Sequence, residues 1–440
     1  MIGVNFMAKK EKIKKTPKEK AKKAGKILLI ILLVIALIAA AFAVVNAVIV
    51  KSERSFVDKV KTVSYESQLV PEADADGNYT FTADRDFKII QLTDVHIGSG
   101  FMSGKKDTMA LNAVAAMVTA EKPDLVVVTG DVAYPVPFQS GTFNNKPGAV
   151  TFAELMENLG VYWCVVFGNH DTEAYSYFSR EDIGKLYSDK EKYPHCLFSM
   201  GDEAVDGVGN YIINVKTSAG KITQSLFMFD SHSYTDNDYF GIMWKYDAIH
   251  KNQIEWYKKS LEKLTAENKG ETPKSLAFFH IPPLEMRDAY YEYRDAGFKD
   301  TENVKYIYGK ANEPGDVVVY SSAKNNGLID AFLESKSTQG VFFGHDHVNN
   351  ISLDYKGLKL TYGYSVDYLA YSGIYKFGLQ RGCTVINTKP DGSVEYHGEN
   401  YYQDKYSPVQ EKESVELKTE WGADSDGALN PFANDGEEQE

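Results

Sequence analysis

Cysteine is scarce in this sequence, and no excess of positive charge is present over the chain as a whole. The cysteines are Cys164, Cys196 and Cys383, an odd set without a CxxC pair. A disulfide framework and a thiolate zinc site are therefore not organising features of the fold, although one disulfide between two of the three stays possible. The net charge of −13 argues against nucleic acid as a partner. Internal repeats are absent as well.

One long apolar run lies near the N-terminus. Residues 1–26 form a basic segment with ten lysines against two glutamates, a local charge of +8, which leaves −21 for the rest of the chain. Residues 27–50 carry no charge and exceed the roughly 20 apolar residues that a bilayer-spanning helix needs. We predict an uncleaved, single-pass anchor in the cell membrane, with the lysines cytoplasmic and the body outside. A cleaved secretory signal ending near residues 41–43 is the alternative.

The remaining chain divides into three parts by composition. Residues 51–84 are predicted to be a stalk, residues 85–403 a catalytic domain, and residues 404–440 an acidic, disordered tail. Apolar strands alternate with helical segments at 106–121 and 151–159, which indicates parallel strands with crossover helices and an α/β fold.

Further elements are predicted beyond this first half. Residues 251–265 have the periodicity of an amphipathic helix, and residues 285–318 are interpreted as a long irregular insertion. Three hairpins are expected, at 211–229, at 351–362 and around Pro390.

Five apolar segments each end in side chains that bind metals well. In chain order these are Asp94 and His96, Asp131, Asn169 with His170 and Asp171, His280, and His345 with His347. Strand ends in layered α/β proteins converge on one edge of a sheet, so these side chains are expected to meet there. Seven nitrogen and oxygen ligands are enough for two ions, and imidazole with carboxylate favours Mn, Fe or Zn over Ca or Mg.

The charge of such a site favours phosphate. Two divalent ions bring +4 and two aspartates −2, so that a bridging hydroxide leaves the site near +1. A site of this kind attracts a phosphate anion and stabilises added negative charge in the transition state. Gly130, Gly168 and Gly344 precede the ligands and let the backbone turn closely beneath them.

The order of the motifs, DxH, GD, GNHD, a strand-final His and GHxH, resembles that of the calcineurin-like metallophosphoesterase superfamily, which includes the purple acid phosphatases. The resemblance implies a four-layer sandwich of two mixed sheets flanked by helices, with two metal ions at the sheet edge. It implies two ligand sets that share one aspartate. The first set is Asp94, His96, Asp131 and His347, and the second is Asp131, Asn169, His280 and His345.

The same resemblance implies a catalytic role for His170, which would contact the phosphate and protonate the leaving oxygen. A carboxylate, Asp94 or Asp171, is expected to orient it. Asn169 and His170 are candidate substrate-binding residues. So is Arg287, although an Arg exposed on a surface loop is the alternative. Tyr134 is interpreted as structural rather than as a metal-binding tyrosinate.

The function expected from these residues is a membrane-anchored dimetal phosphoesterase that attacks a phosphorylated small molecule or other phosphoester with a metal-bridging hydroxide. A phosphodiesterase or pyrophosphohydrolase of the same fold is an alternative. A catalytically silent metal-binding receptor or scaffold is another, and a nuclease is disfavoured by the acidic body.

Overall fold

The N-terminal apolar run lies within one long helix, α1 (Pro17–Val57). The structure is a computed structural model that describes residues 16–74, 77–314, 317–371, 374 and 381–407. Helix α1 is long and apolar enough to cross a membrane, judged by its length and composition. The chain divides into two compact units between Val48 and Ile49.

The second unit contains two β-sheets and seven further helices within the residues described. The helices are α2 (Gly104–Glu121), α3 (Pro137–Ser140), α4 (Lys146–Leu159), α5 (Arg180–Tyr187), α6 (Lys251–Glu267), α7 (Leu284–Asp295) and α8 (Leu328–Ser335). The strands are β1 (Glu72–Ala73), β2 (Tyr79–Thr82), β3 (Phe87–Leu92), β4 (Leu125–Thr129), β5 (Trp163–Val166), β6 (Tyr211–Lys216), β7 (Ile222–Met228), β8 (Lys274–Phe278), β9 (Val304–Tyr308), β10 (Thr338–Phe343), β11 (Ser352–Tyr355), β12 (Leu358–Tyr362), β13 (Gly382–Thr388) and β14 (Val394–Asn400).

Both sheets are mixed. The five-stranded sheet has the order β14-β13-β3-β4-β5, with β3, β4 and β5 parallel and β13 antiparallel to β3. The nine-stranded sheet has the order β1-β2-β6-β7-β8-β10-β12-β11-β9, and β8 is parallel to both of its neighbours. The predicted α/β fold with two mixed sheets flanked by helices is therefore confirmed.

Alternation along β8 shows how the layers are held together. Leu276 and Phe278 join the core that also contains side chains of the five-stranded sheet, whereas Ala277 and Phe279 join the core beneath α6, α7 and α8. Successive side chains of a strand point to opposite faces, so an unbroken apolar run is buried on both. The order of layers is consequently helix, sheet, sheet, helix.

The predicted helices and hairpins are present. The segments 106–121, 151–159 and 251–265 fall within α2, α4 and α6. The three hairpins are β6–β7, β11–β12 and β13–β14, each an antiparallel pair.

The prediction of an irregular insertion at 285–318 is wrong for much of its length. Helix α7 and strand β9 lie there. The buried face of α7 is formed by Met286, Ala289, Tyr290 and Tyr293, spaced three and four residues apart. Tyrosines supply half of this helical pattern, which is why the segment has the composition of a polar loop.

The folded body also begins before residue 85. Strand β2 pairs with β6, and Phe81 is fully buried, so the predicted stalk is in part a portion of the nine-stranded sheet. Glu53 and Val57 at the end of α1 are buried as well. At the other end, Tyr406 is buried, and residues 408–440 of the predicted tail lie outside the described residues.

Candidate metal centre

Strands from both sheets deliver polar side chains to one place. Strands β3, β4 and β5 precede Asp94, Asp131 and Asn169, and β8 and β10 precede His280 and His345. Contacts across the two sheets fix this meeting point. The His345 amide donates to both carboxylate oxygens of Asp94, each at 3.2 Å, and His280 Nδ1 donates to the Thr129 carbonyl at 2.8 Å.

Four of the predicted residues form a buried cluster. Asp94, His96, Asp131 and His347 each offer one ligand atom, and these atoms all lie within 4.8 Å of one another. His96 Nε2 is 3.3 Å from Asp131 Oδ2, and His347 Nε2 is 3.6 Å from Asp94 Oδ1. This is the spacing at which several donors can share one cation.

A second group adjoins the first through Asp131. His280 Nε2 lies 3.2 Å from Asp131 Oδ2 and 3.2 Å from Asn169 Oδ1. The ring centroid of His345 is 5.2 Å from that of His280. Asp131 therefore faces both groups, and all seven predicted ligands are brought together.

The positions of the histidine ring nitrogens fit metal coordination. Nδ1 of His96 lies 3.2 Å from Asp367 Oδ1, and Nδ1 of His347 lies 3.4 Å from Asp367 Oδ2. With His280 Nδ1 on the Thr129 carbonyl, three rings have Nδ1 next to an oxygen acceptor and Nε2 directed at the cluster. Metal-binding histidines characteristically hold their second nitrogen in this way, so the donor set suits N/O-preferring ions such as Mn, Fe or Zn.

Close backbone approach explains two of the glycines. A Cβ on Gly168 would lie 2.1 Å from Asp131 Oδ1, and one on Gly130 would lie 2.6 Å from His280 Nδ1. Gly130 also has a φ of +91°, a conformation that favours glycine. Both glycines are thus required for the ligands to reach their positions.

Several candidate ligands hold strained backbone conformations. Asp94, His96 and Asp131 have φ values of 51°, 53° and 55°, and His345 has 82°. Such conformations cost free energy in residues other than glycine and persist where the surrounding structure fixes them, most often at functional sites.

Buried charges of opposite sign shift the pKa values of the cluster. Burial alone would raise the pKa of Asp131, but His280 and His170 hold it well below its usual range. Burial would lower the pKa of His96, but Asp367 and Asp131 raise it to about 10. The buried carboxylates therefore stay ionised and call for positive charge, and this charge must come from a cation once the histidines act as neutral ligands.

His170 lies beside the cluster rather than in it. Its backbone amide donates to Asp131 Oδ1 at 2.8 Å, and its Nδ1 lies 2.7 Å from Glu173 Oε1. The side chain of His170 is 22% exposed whereas that of Glu173 is 3% exposed. One ring nitrogen is thus held from beneath and the other is left for a bound molecule.

The prediction that Asp94 or Asp171 orients His170 is wrong. Asp171 Oδ2 accepts hydrogen bonds from the backbone amides of Asp131 and Gly168, at 2.9 and 2.8 Å, and its Oδ1 accepts one from Ala133. Burial, together with the charge of Asp131, raises the pKa of Asp171 to about 6. Asp171 fixes the backbone beneath Asp131, and Glu173 is the carboxylate that His170 contacts.

Two other predicted residues have separate surroundings. The Tyr134 hydroxyl donates to Gln139 Oε1, and its ring packs 4.5 Å from the ring of His96, as expected of a structural tyrosine. Arg287 lies on α7, and among the described residues no hydrogen bond or ion pair joins it to the cluster.

Sequence reasoning missed Asp367 and Glu173. Asp367 accepts hydrogen bonds from the amides of Leu369 and Ala370 as well as facing two histidines. It lies five residues after the end of β12, farther than the first predicted ligand lies from the end of each of the other strands, so the strand-end rule did not include it. Glu173 stands three residues after His170, a spacing that carries no signal in a loop.

Comparison with known proteins identifies relatives. The family model described as calcineurin-like phosphoesterase matches residues 87–349. The chain is 28% identical over 324 residues to "Probable inactive purple acid phosphatase 14" of Arabidopsis thaliana, covering 67% of this chain and 74% of the relative. It is 28% identical over 287 residues to "Phosphatase DCR2" of Saccharomyces cerevisiae, covering 61% of this chain and 45% of that protein.

A solved structure of a dimetal phosphatase from Danio rerio is also similar, at 12% identity and a TM-score of 0.48, covering 73% of this chain and 98% of that one. The family model spans more than half of the sequence and includes the whole run from Asp94 to His347. The chain belongs to the calcineurin-like phosphoesterase family.

Proposed function

We propose that this protein is a phosphoesterase that uses two metal ions to hydrolyse phosphoric esters. The proposed ligands of one ion are Asp94, His96, Asp131 and His347, and those of the other are Asp131, Asn169, His280 and His345. The observation that carries the proposal is the convergence of His96 Nε2 and His280 Nε2 on Asp131 Oδ2, at 3.3 and 3.2 Å, while the Nδ1 of each ring lies against its own acceptor.

The metals supply, when bound, Lewis acidity toward the phosphoryl oxygens and activation of a water molecule. The protein's own residues perform the remaining tasks. Asp131 and Asp94 are both buried and would hold the ions on the inner side of the site, away from solvent. His170 delivers a proton from Nε2 to the leaving oxygen, while Glu173 holds Nδ1 and so orients the ring. Asn169 is fixed by donation from its Nδ2 to the Tyr234 hydroxyl at 2.9 Å.

The proposed metals are Mn, Fe or Zn, because the donors are imidazole, carboxylate and amide groups. Tyr134 is not among the proposed ligands, since its hydroxyl hydrogen is given to Gln139. The iron-loaded protein is therefore expected to lack the purple colour of a tyrosinate complex.

A metal-binding protein without catalytic activity is the second candidate, because Arabidopsis relatives carry the word "inactive" in their names. The His170–Glu173 pair argues for catalysis, since a site that only binds metal does not need a partly exposed imidazole held at 2.7 Å by a buried carboxylate.

The deciding experiment is a panel of substrates assayed with each metal. The full-length protein, loaded with Mn, Fe or Zn, is assayed against phosphomonoesters, phosphodiesters and pyrophosphates. We expect turnover of at least one class, and we expect His170→Ala to lower kcat by about 10²-fold or more while the bound metal is retained. Equal rates for the wild type and His170→Ala, or no turnover with any metal, would support the silent protein.

We also propose that residues 27–50 anchor the protein in a membrane, with residues 1–26 in the cytoplasm. Support comes from the length and hydropathy of α1 and from the lysines that precede the apolar run. Protease treatment of intact cells is expected to digest the body and spare the basic segment. Protection of the body would reverse the orientation, and a soluble body in the medium would indicate a cleaved signal.

A further inference from the structure

A groove of about 670 Å³ lies directly after the GNHD motif and is lined by none of the residues proposed to bind metal. One wall is formed by residues between Thr172 and Asp182, and the other includes the segment from His232 to Asp236 and Tyr239.

Two residues connect the groove to the site. Glu173 lines the groove and contacts His170 Nδ1 at 2.7 Å. Tyr234 also lines it, and its hydroxyl accepts a hydrogen bond from Asn169 Nδ2 at 2.9 Å. Glu173 and Tyr234 therefore join the wall of the groove to His170 and Asn169.

The charge of the groove is negative. Glu181, Asp182 and Asp236 line it and are exposed. Among the described residues, the only Lys or Arg that lines it is Arg180.

Arg180 is already engaged and does not offset these carboxylates. Its guanidinium donates to Asp230, to the Gly168 carbonyl at 2.8 Å, to Ser233 at 2.7 Å and to Thr172 at 3.2 Å. A second negative charge on a substrate would be repelled by the carboxylates of the groove. The Arg180 guanidinium would not offset this repulsion, because it is already hydrogen-bonded within the protein.

The groove also offers aromatic surface. Tyr177 and Tyr239 line it with 68% and 65% of their surface exposed. Exposed tyrosine faces bind planar rings and attract cations.

We propose that this groove receives the alcohol portion of the substrate and selects esters whose alcohol is neutral or cationic and carries an aromatic face. The proposal rests on the phosphoesterase activity proposed above. It predicts that the metal centre takes the phosphate while Glu181, Asp182 and Asp236 disfavour further anionic groups such as carboxylates or additional phosphates.

The test compares two esters that differ only in a remote charge. The full-length, Mn-loaded protein is assayed with 4-(aminomethyl)phenyl phosphate and 4-(carboxymethyl)phenyl phosphate, in which a methylene group limits the influence of the charge on the leaving oxygen. We expect kcat/KM to favour the cationic ester by about tenfold at low ionic strength, and by less at high salt because exposed charges are screened.

Variants assign this preference to the groove. Glu181→Gln combined with Asp236→Asn is expected to reduce the ratio by at least half. Glu255→Gln combined with Glu262→Gln removes the same charge from exposed positions of α6 and should leave the ratio unchanged. Tyr239→Ser should raise KM for both aryl esters relative to glycerol 2-phosphate, whereas Phe138→Ser, which removes an aromatic ring that is 89% exposed outside the groove, should not.

The proposal is overturned if the wild type shows equal kcat/KM values for the two esters or prefers the anionic ester. It is also overturned if the two double variants change the ratio of these kcat/KM values by the same amount. A binding experiment distinguishes a wrong groove assignment from a protein that has no enzyme activity. The matching benzylphosphonates, titrated calorimetrically into Mn-loaded protein, report the same charge preference in Kd without turnover. Equal Kd values for the two phosphonates would reject the groove, and a cationic preference without any hydrolysis would reject only the catalytic function.

Discussion

Two clusters of histidine and aspartate in this protein bring their ligand atoms close together, yet they differ in how deeply they are buried. In both Asp94–His96–Asp131–His347 and His232–Asp247–His250 the candidate atoms lie within 4.8 Å of one another. The first cluster is buried, and the second is half-buried. We refer to them as the inner and the outer cluster.

The outer cluster is already balanced by its own hydrogen bonds. Both nitrogens of His250 face carboxylates, with Nδ1 2.7 Å from Asp206 and Nε2 3.1 Å from Asp247. Burial would lower the pKa of His250, but hydrogen bonds to Asp206 and Asp247 raise it, so a proton on the ring supplies the positive charge. His232 Nε2 lies 2.9 Å from Gln253 Oε1, and its ring stacks on that of His250.

The histidines of the inner cluster face carboxylates in the same way, because Nδ1 of His96 and His347 faces Asp367 while Nε2 faces Asp131 or Asp94. These carboxylates are at most 1% exposed, whereas the side chain of Asp206 is 53% exposed. Proximity of donors therefore does not define a metal site; buried carboxylates that have no solvent to balance their charge do.

The largest effect is expected from replacing His280, which adjoins the inner cluster through a 3.2 Å contact with Asp131. His280→Ala removes a proposed ligand and should lower phosphoester hydrolysis by about 10³-fold or more, because the site loses both a donor and its charge balance. His250→Ala, the matched control in the outer cluster, should retain activity within about threefold. Initial rates with a chromogenic phosphoester measure both. Similar losses in the two variants would remove the distinction.

Loss of the carboxylate behind the inner histidines should weaken metal binding without abolishing it. Asp367→Asn leaves His96 and His347 in place but removes the charge that fixes their Nδ1 hydrogens. Metal affinity is expected to fall about 10- to 100-fold, as is usual for such second partners. Competition with a chromophoric chelator measures the affinity, and Asp206→Asn, the equivalent change in the outer cluster, should leave it unaltered.

A smaller effect is expected at His170. Glu173→Gln keeps the size of the side chain but removes the carboxylate that contacts His170 Nδ1. We expect kcat to fall about tenfold, because the ring loses the group that orients it, and no further fall when Glu173→Gln is added to His170→Ala. A further fall in the double variant would show that Glu173 acts independently of His170.

The smallest effect concerns a pair of buried acids that has no histidine. Burial together with the charge of nearby Asp107 raises the pKa of Glu53 from 4.5 to about 9. Here a proton would take the place that we propose for a cation in the inner cluster. The stabilising contribution is complete below pH 4.5 and is lost as the pH rises toward 9, because the folded state must keep the proton.

Glu53→Gln supplies a permanent neutral partner for Asp107. The melting temperature of the variant should exceed that of the wild type at pH 8 by a few degrees, about 2 °C for each kcal/mol, and the two should converge near pH 4.5. Glu66→Gln, at an exposed position, serves as the control. A variant that melts below the wild type at pH 8 would show that Glu53 is ionised in the folded protein.

Much of this site was predictable because it depends on local patterns. Apolar runs followed by Asp, Asn or His locate the ends of β3, β4, β5, β8 and β10, and strand ends of this kind converge on a sheet edge. The glycines before Asp131 and Asn169 were identifiable for the same reason.

The parts that were missed depend on contacts distant in sequence or on an unfamiliar composition. Asp367 faces His96 across 271 positions of the chain, and no pattern within β12 announces that meeting. His170 contacts Glu173 rather than Asp171, because the carboxylate of Asp171 accepts hydrogen bonds from backbone amides. Helix α7 has the composition of a loop because tyrosines occupy its buried face.

Metal content per chain tests the central claim most directly. Plasma mass spectrometry on the full-length protein purified with Mn should count two ions per wild-type chain and fewer than one in Asp131→Ala, because Asp131 faces both ligand groups. Asp247→Ala, in the outer cluster, should keep two. A wild-type protein without metal, or equal counts in all three proteins, would contradict the account.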